Sequence, residues 1–299
     1  MSAGPLVSVI VPTLDGADTL PALLAALTRT APRHALEIVA IDSGSRDATV
    51  KMLRDAGATV LELGPTPFGH SSARNRAAGH ARGEVLLFVT QDVEPKGETW
   101  LDPLLAALGQ PGIGGAFGRQ IPRGASPEEA FLVAANYPTT SRTITADALG
   151  APFGPGATFF SNAFGAMRRE VWERHPFPDI VMSEDQAWAR NVMAAGLTIR
   201  YVSEAEAYHG HALSLGRAFR RNFDSGSSLQ SLKLAGASWG SGLRHLLAEL
   251  RWIAARHGPG AAAHAVLYEG VRMLGFQCGR LEWLLPGWLG RLLGEAPRD

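Results

Sequence analysis

Cysteine is almost missing from this chain: Cys278 is the one thiol in 299 residues. An internal disulfide is thereby excluded, and a reducing compartment, the cytoplasm, is expected. An excess of one charge is missing too, with 28 basic residues against 28 acidic ones. No overall field draws such a chain onto nucleic acid or a membrane, so any basic patch is local. Long apolar runs are absent, and no stretch approaches the ~20 residues that span a bilayer. Residues 7–11 are too short for a signal-peptide core and no basic residue precedes them, so a first strand is expected there instead. There is no internal repeat, and no low-complexity tract beyond an alanine bias. What the chain does have is 46% hydrophobic residues, enough to fill the core of one large domain, alone or with an appendage.

Residues 7–11 are apolar and mostly β-branched, which suits a strand buried on both faces of a parallel sheet, and Pro12 is expected to end it. Asp18 is placed to cap a helix in which Leu20, Leu23, Leu24 and Leu27 recur at helical spacing. The cycle then repeats. A strand over 37–41 stops at Asp42-Ser43-Gly44-Ser45, and a helix follows with Val50 and Leu53 on one face. Next come a strand over 59–63, a helix near 72–80, a strand over 85–89 and a helix over 100–108. This alternation predicts an α/β fold with a mostly parallel, doubly wound sheet and right-handed crossovers. Past about residue 110 it weakens, with strands expected over 117–121, 159–167 and 198–208 and helices near 126–135, 168–174 and 183–195. The Gly and Pro cluster at 150–156 reads as a mobile loop able to close over an acceptor. Residues 1–230 are therefore expected to form the α/β domain, with a nucleotide-binding half over 1–110 and an acceptor half over 111–230. Residues 231–299 are expected to form a helical extension. Its Trp283 and Trp288, beside Arg280 and Arg291, are expected to pack between helices, since a purely interfacial helix would be more strongly charged on one face.

In doubly wound sheets ligands sit beyond the carboxyl ends of the strands, where loops and helix N-termini converge. Polar clusters fall at four such ends: 13–15, 42–45, 91–94 and 118–120. Asp42 can accept a bond from a base N–H; the plainer alternative, a helix cap, is open to Ser45 or Asp47 as well. Asp92, just past an apolar strand, can supply an oxygen through which Mg²⁺ or Mn²⁺ neutralises a diphosphate, or it can be a turn residue before Pro95. Gly69 permits a tight turn ahead of Arg74, whose guanidinium can bond diphosphate oxygens or lie on the surface like Arg76 and Arg82. Glu184 and Asp185 open a helix capped by Ser183, where free N–H groups keep a carboxylate ionised. An ionised acid near an acceptor hydroxyl is what a general base requires, and Asp185 is preferred with Glu184 second. His209 and His211 flank Gly210 after a strand, and either imidazole can join Asp92 at a metal. Arg217, Arg220 and Arg221 can meet a phosphate or form a solvated helix face.

At these residues the chain resembles the inverting family 2 glycosyltransferases with a GT-A fold. VSVIVPTLDGADTL, EIVAIDSGSRDAT, FGHSSARNRAAGHARGEVLLFVTQDVEP, FGRQIPR, FFSNAFGAMRREVWE, SEDQAWARN and YHGHALSLGRAFRRNFDSG carry the likeness, over about residues 6–230. Within the family it is most similar to bacterial rhamnosyltransferases, through FGH, ARN, TQD, NYP and FRRNFDSG. The resemblance implies a nucleotide-sugar donor held by Pro12, Thr13, Asp42, Ser43, Gly69, Arg74, Gln91 and Asp92. Thr13 and Asp42 would take the base and ribose side, and Arg74 the diphosphate. It implies Mn²⁺ or Mg²⁺ on Asp92, where either His209 completes the site or metal dependence is weak, and Asp185 as base. Arg119, Asn162, Arg220 and Arg221 are the implied contacts to acceptor or phosphate. Family members usually carry an Asp-x-Asp triplet, whereas this chain has Thr90-Gln91-Asp92, so metal affinity is expected to be lower.

The expected reaction is a single displacement with inversion, moving L-rhamnose from dTDP-β-L-rhamnose to a polysaccharide or lipid-linked oligosaccharide. A UDP-hexose or UDP-N-acetylhexosamine donor, or a non-catalytic sugar-nucleotide sensor on the same scaffold, is the alternative. A sugar-nucleotide pyrophosphorylase is disfavoured, because its Gly-rich, Arg- and Lys-containing first loop is absent from PTLDGADTL. No nucleic-acid partner is expected; a peripheral membrane contact and a homodimer are left open.

Overall fold

The computed structural model describes residues 5–64, 69–150, 159–210, 213–231 and 239–295. Its centre is a nine-stranded sheet built from β1 (Val7–Thr13), β2 (Leu36–Asp42), β3 (Thr59–Glu62), β4 (Val85–Val89), β5 (Glu94–Pro95), β6 (Ile113–Ile121), β7 (Arg142–Ile144), β8 (Phe164–Arg168) and β9 (Thr198–Tyr208). The order is β3-β2-β1-β4-β8-β6-β9-β5, with β7 on β9. β3, β2, β1 and β4 run parallel; β8 lies antiparallel between β4 and β6, and β9 is parallel to β6. The carboxyl ends of β1, β2, β4, β6 and β9 therefore share one edge.

Strand alternation sorts the apolar side chains into two cores, one on each face. Val7, Val9, Val11, Leu87 and Val89 meet α1 (Leu20–Thr30), α2 (Thr49–Asp55) and α4 (Asp102–Leu108) through Leu23, Leu27, Leu53 and Leu104. Ile10, Leu86 and Phe88 meet α3 (His70–His80), α6 (Arg169–Arg174) and α7 (Glu184–Ala194) through Ala73, Ala77, Val171 and Trp188.

Several local expectations are corrected. Pro12 does not end β1, which continues to Thr13 opposite Asp42. Thr13 O accepts the Ser43 N–H, so Pro12, one residue earlier, turns its missing N–H toward the β4 side, where pairing has already stopped at Ile10. Asp18 does not cap α1; Thr19 holds the N-cap position without a side-chain bond, and Pro21 sits in the first turn. The strand expected from residue 159 starts at Phe164, because the 159 N–H and 160 carbonyl are taken by the Gln186 side chain. The loop expected at 150–156 falls, from 151 on, outside the described residues.

The C-terminal part is helical: α8 (Leu215–Ser231), α9 (Trp239–His257), α10 (Pro259–Arg280) and α11 (Gly287–Leu293). α8 and α10 touch backbone to backbone. A Cβ at Gly279 would stand 1.9 Å from Phe223 O, and one at Gly275 would stand 2.4 Å from Phe219 O. α5 (Pro127–Asn136), capped by Ser126 Oγ on Glu129 N–H, packs against α9 and α10. Trp283 and Trp288 do not pack between helices: Trp283, in the short 3₁₀ turn before α11, is 73% exposed, and Trp288, in the first turn of α11, is 61% exposed.

Candidate active site

The site is built from the strand ends upward. At β1 and β2, Asp42 is buried and its carboxylate accepts four bonds: Oδ1 from the Gly44 and Ser45 N–H groups, Oδ2 from the Thr13 and Ser45 hydroxyls at 2.8 and 2.6 Å. That fills its acceptor capacity. The same two loops are stitched by Asp15 Oδ1 to Arg46 N–H and Asp47 Oδ2 to Ala17 N–H. Gln91, after β4, reads the backbone of Leu14 from both sides, accepting its N–H at 2.9 Å and donating to its carbonyl at 3.0 Å. Gly16 leaves room for it, because a Cβ there would come within 2.5 Å of Gln91 Oε1 and push the amide aside. Pro12, Thr13, Asp42, Ser43 and Gln91 thus form one interlocked rim. Gly69 precedes α3 with an ordinary extended backbone, so its φ makes no demand for glycine; residues 65–68, where the expected turn would run, lie outside the described residues.

Asp92 lies on the same edge, with its Oδ2 3.5 Å from His209 Nε2 at the end of β9. Gln120, on β6, fixes which nitrogen of His209 carries hydrogen. Its Nε2 donates to Tyr137 Oη at 2.7 Å and Ser161 Oγ at 2.9 Å, so its Oε1 must be the acceptor for His209 Nδ1 at 2.7 Å. With Nδ1 held by Gln120, Nε2 is the nitrogen that faces Asp92. An imidazole nitrogen and a carboxylate oxygen facing each other, with the imidazole steered from behind by an amide, fit a divalent ion such as Mn²⁺. Thr90, at the place of the first acid of an Asp-x-Asp triplet, buries a hydroxyl with no hydrogen-bond partner. His211 lies outside the described residues.

The two acids opening α7 have opposite surroundings. Ser183 sits at the N-cap with φ 66° and makes no side-chain cap, contrary to expectation. Glu184 is buried and pairs with Arg74 Nη1 at 2.7 Å, while Asn162 Nδ2 donates to it at 3.2 Å. Burial works to raise its pKa, but the Arg74 guanidinium and His70 hold it below the usual carboxylate value. Asp185 is half-buried, accepting the Asn162 N–H at 3.3 Å. Burial first, and the Glu184 charge second, push it up to about 6. Desolvation therefore outweighs the helix N-terminus that was expected to keep it fully ionised. Two carboxylates whose pKa values are driven apart are chemically distinct: one is held as a fixed counter-charge, the other is able to take up a proton near neutral pH.

One polar chain joins the two halves. From Asp92 it passes through His209, Gln120 and Ser161 to the adjoining Asn162, whose N–H bonds Asp185. The pairing of β8 with β4 sets this up, since Thr90 N–H bonds Ala163 O and so lays residues 161–163 beside the end of β4. Arg74 is drawn to Glu184. Arg119 pairs with Glu206 at 2.6 Å, on the face of β6 opposite to Gln120. Arg220 and Arg221 are exposed on α8, and Arg221 is close enough to His70 to help lower that imidazole's pKa, after burial and Arg74. The roles of Gln120, Tyr137, Ser161 and His70 were not foreseen, although FGRQ, NYP, FFSN and FGH were all in view as segments of the resemblance.

The order of strands, with an antiparallel β8 inserted beside β4 and ligand-type residues on one edge, defines a GT-A glycosyltransferase fold. The model of glycosyl transferase family 2 matches residues 8–175, and the chain belongs to that family. Among curated relatives, it is 27% identical over 289 residues to the O-antigen chain rhamnosyltransferase RfbN of Salmonella typhimurium, covering 94% of this chain and 91% of RfbN. It is also 27% identical over 258 residues to the O-antigen chain rhamnosyltransferase WbaN of Salmonella anatum, covering 84% and 81%. Among solved structures, the mannosyltransferase PcManGT from Pyrobaculum calidifontis, in complex with GDP-Man and Mn²⁺, superposes with TM-score 0.64 at 21% identity, covering 95% of this chain and 88% of that one. Glucosyl-3-phosphoglycerate synthase from Mycobacterium tuberculosis with UDP gives 0.55 at 20%, covering 79% and 82%. Family and fold are thus fixed independently of the donor.

Proposed function

We propose that the protein is an inverting rhamnosyltransferase, moving L-rhamnose from dTDP-β-L-rhamnose to a hydroxyl of a polysaccharide or lipid-linked oligosaccharide at the cytoplasmic face of a membrane. The sugar assignment is supported by RfbN and WbaN, both named as O-antigen chain rhamnosyltransferases. The reaction class is supported by one observation: Asp185 is tuned to about 6 beside the ion-paired Glu184, and is linked through the adjoining Asn162 and Ser161, Gln120 and His209 to Asp92.

In this reading Asp185 takes the proton from the acceptor hydroxyl. That oxygen bonds to the anomeric carbon as the bond to the diphosphate breaks, and the electron pair leaves with the diphosphate. One displacement inverts the carbon. Asp92 and His209 would hold Mn²⁺ or Mg²⁺, which when bound supplies positive charge to the leaving diphosphate. Asn162 orients Asp185 through its N–H and Glu184 through its amide. The rim of Thr13, Asp42 and Gln91 receives the base and ribose; there Ser45 or Thr13 must release Asp42 if its carboxylate is to accept a base N–H.

Placement at the membrane is supported by the helical part. Of the twelve exposed large hydrophobics among the described residues, eleven lie between Leu243 and Leu292, with Trp283 and Trp288 the most open. Exposed Arg244, Arg251 and Arg291 accompany them, a combination that suits an anionic lipid surface.

The test is the product. With dTDP-β-L-rhamnose and a lipid-linked acceptor, NMR coupling is expected to show an α-L-rhamnoside. A β-linked product would end the inverting scheme. A larger thermal shift with UDP- or GDP-sugars than with dTDP-rhamnose would end the donor assignment alone.

A further inference from the structure

The helical part buries a second group of metal-ligand side chains, none of which belongs to the transferase site. His245 and Glu249 stand one turn apart on α9, and Glu269 comes to them from α10; a ligand atom of each lies within 4.8 Å of the others. The Glu249 side chain is fully buried, and neither of its oxygens has a hydrogen-bond partner. His245 Nε2, 3.8 Å from Glu249 Oε2, is buried and lacks one as well. A carboxyl group removed from water with no hydrogen bond to either oxygen is among the costliest groups a fold can bury.

The neighbours do not relieve it. Glu269, Glu128 and Glu129 add negative charge around Glu249, and Arg272 is the cation that opposes them. Arg272 is committed to Glu269, with Nη1 2.5 Å from Oε1. The other nearby donors are also spent: His264 bonds Glu128 at 2.8 Å and the Tyr268 hydroxyl bonds Glu129 at 2.6 Å.

We propose that His245, Glu249 and Glu269 bind one divalent transition-metal ion of the Zn²⁺ class that fastens α9 to α10. An imidazole nitrogen and carboxylate oxygens are a ligand set this ion accepts, with water in the fourth place. Two carboxylates cancel its charge. Arg272 holds Glu269 from outside, as second partners of ligating carboxylates do. Because α10 also bonds α5 through His264–Glu128 and Tyr268–Glu129, the ion would set how the helical part is held against the transferase domain.

The test uses the full chain carrying Asp92→Asn and His209→Asn, which removes the donor-side metal pair. Stripped of metal, it is titrated with Zn²⁺ or Co²⁺ alone and followed by calorimetry and melting temperature. One equivalent is expected to bind and to raise the melting temperature. Adding Glu249→Gln, or separately His245→Asn, is expected to abolish both effects while circular dichroism stays unchanged. Equal binding with and without these substitutions, or no binding by the starting protein, overturns the proposal; in the second case Glu249 is simply an acid that keeps its proton. Zn²⁺ X-ray absorption on the starting protein needs no further substitution. Ligation by one imidazole with oxygens is expected, and two or more imidazoles would overturn the assignment.

Discussion

Glu184 and Asp185 are neighbours in the chain and opposites in energy. Glu184 is the counter-charge of a buried guanidinium, so Glu184→Gln leaves Arg74 buried and unbalanced. The expected loss is on the order of 3 kcal/mol, read from denaturant midpoints. Asp185 behaves the other way. Its folded pKa of about 6 lies above the ordinary 3.8, so the folded state favours its neutral form. Its contribution to stability is complete below about pH 3.8 and is lost as pH rises through about 6. Asp185→Asn is therefore expected to stabilise the protein at pH 7.5 by ~1 kcal/mol, a figure discounted for its partial exposure. The same pKa sets activity in the opposite sense: kcat/KM is expected to fall about tenfold per pH unit below pH 6, where the base is protonated. A flat profile down to pH 5 would contradict the assignment. The pairing of two acids at a helix start was legible in SEDQAW. Their opposite tuning was not, because Arg74 and Asn162 reach them from segments 110 and 22 residues away.

Among the elements, β1 and β4 were legible because each is a short, largely apolar run buried on both faces, and β2 through the apolar, buried residues Val39, Ala40 and Ile41, a pattern that needs no knowledge of neighbours. Helix starts were less so. Asp18 and Ser183 have capping chemistry, yet the backbone at Thr19 and the left-handed Ser183 leave their side chains without a cap bond. Tertiary geometry overrides propensity in both. The contact between α8 and α10 was also hidden, since glycines in a helical pattern look only like weak points. Gly279→Ala is expected to lose about 1–3 kcal/mol or more, because the new Cβ meets the Phe223 carbonyl rather than a movable side chain. Gly270→Ala, on the same helix with nothing within 4 Å, is expected to be neutral or to gain up to ~1 kcal/mol. Equal effects of the two in urea unfolding would remove the close-packing explanation.

At the scale of the whole molecule, one sheet edge collects the carboxyl ends of β1, β2, β4, β6 and β9, which is why residues from 13 to 209 meet. The sequence pattern pointed to that edge through its polar clusters. It could not show that Gln120 joins His209 to Ser161, since partners on different strands leave no periodic trace. The helices also carry exposed apolar side chains, among them Trp283 and Trp288, which the pattern read as packed between helices and the structure leaves open. Vesicles containing anionic lipid are expected to retain the protein at low salt, and Trp283→Glu with Trp288→Glu to release it; unchanged sedimentation would detach this face from any membrane role.

In the proposed reaction Asp185 deprotonates the acceptor beside a donor bound elsewhere in the same crevice. The most direct measurement of this is donor affinity and turnover of Asp185→Asn on one preparation. Donor affinity is predicted to stay within about twofold while kcat falls by roughly 10²–10⁴. Turnover within about tenfold of the unaltered enzyme, with the donor still bound, would contradict it.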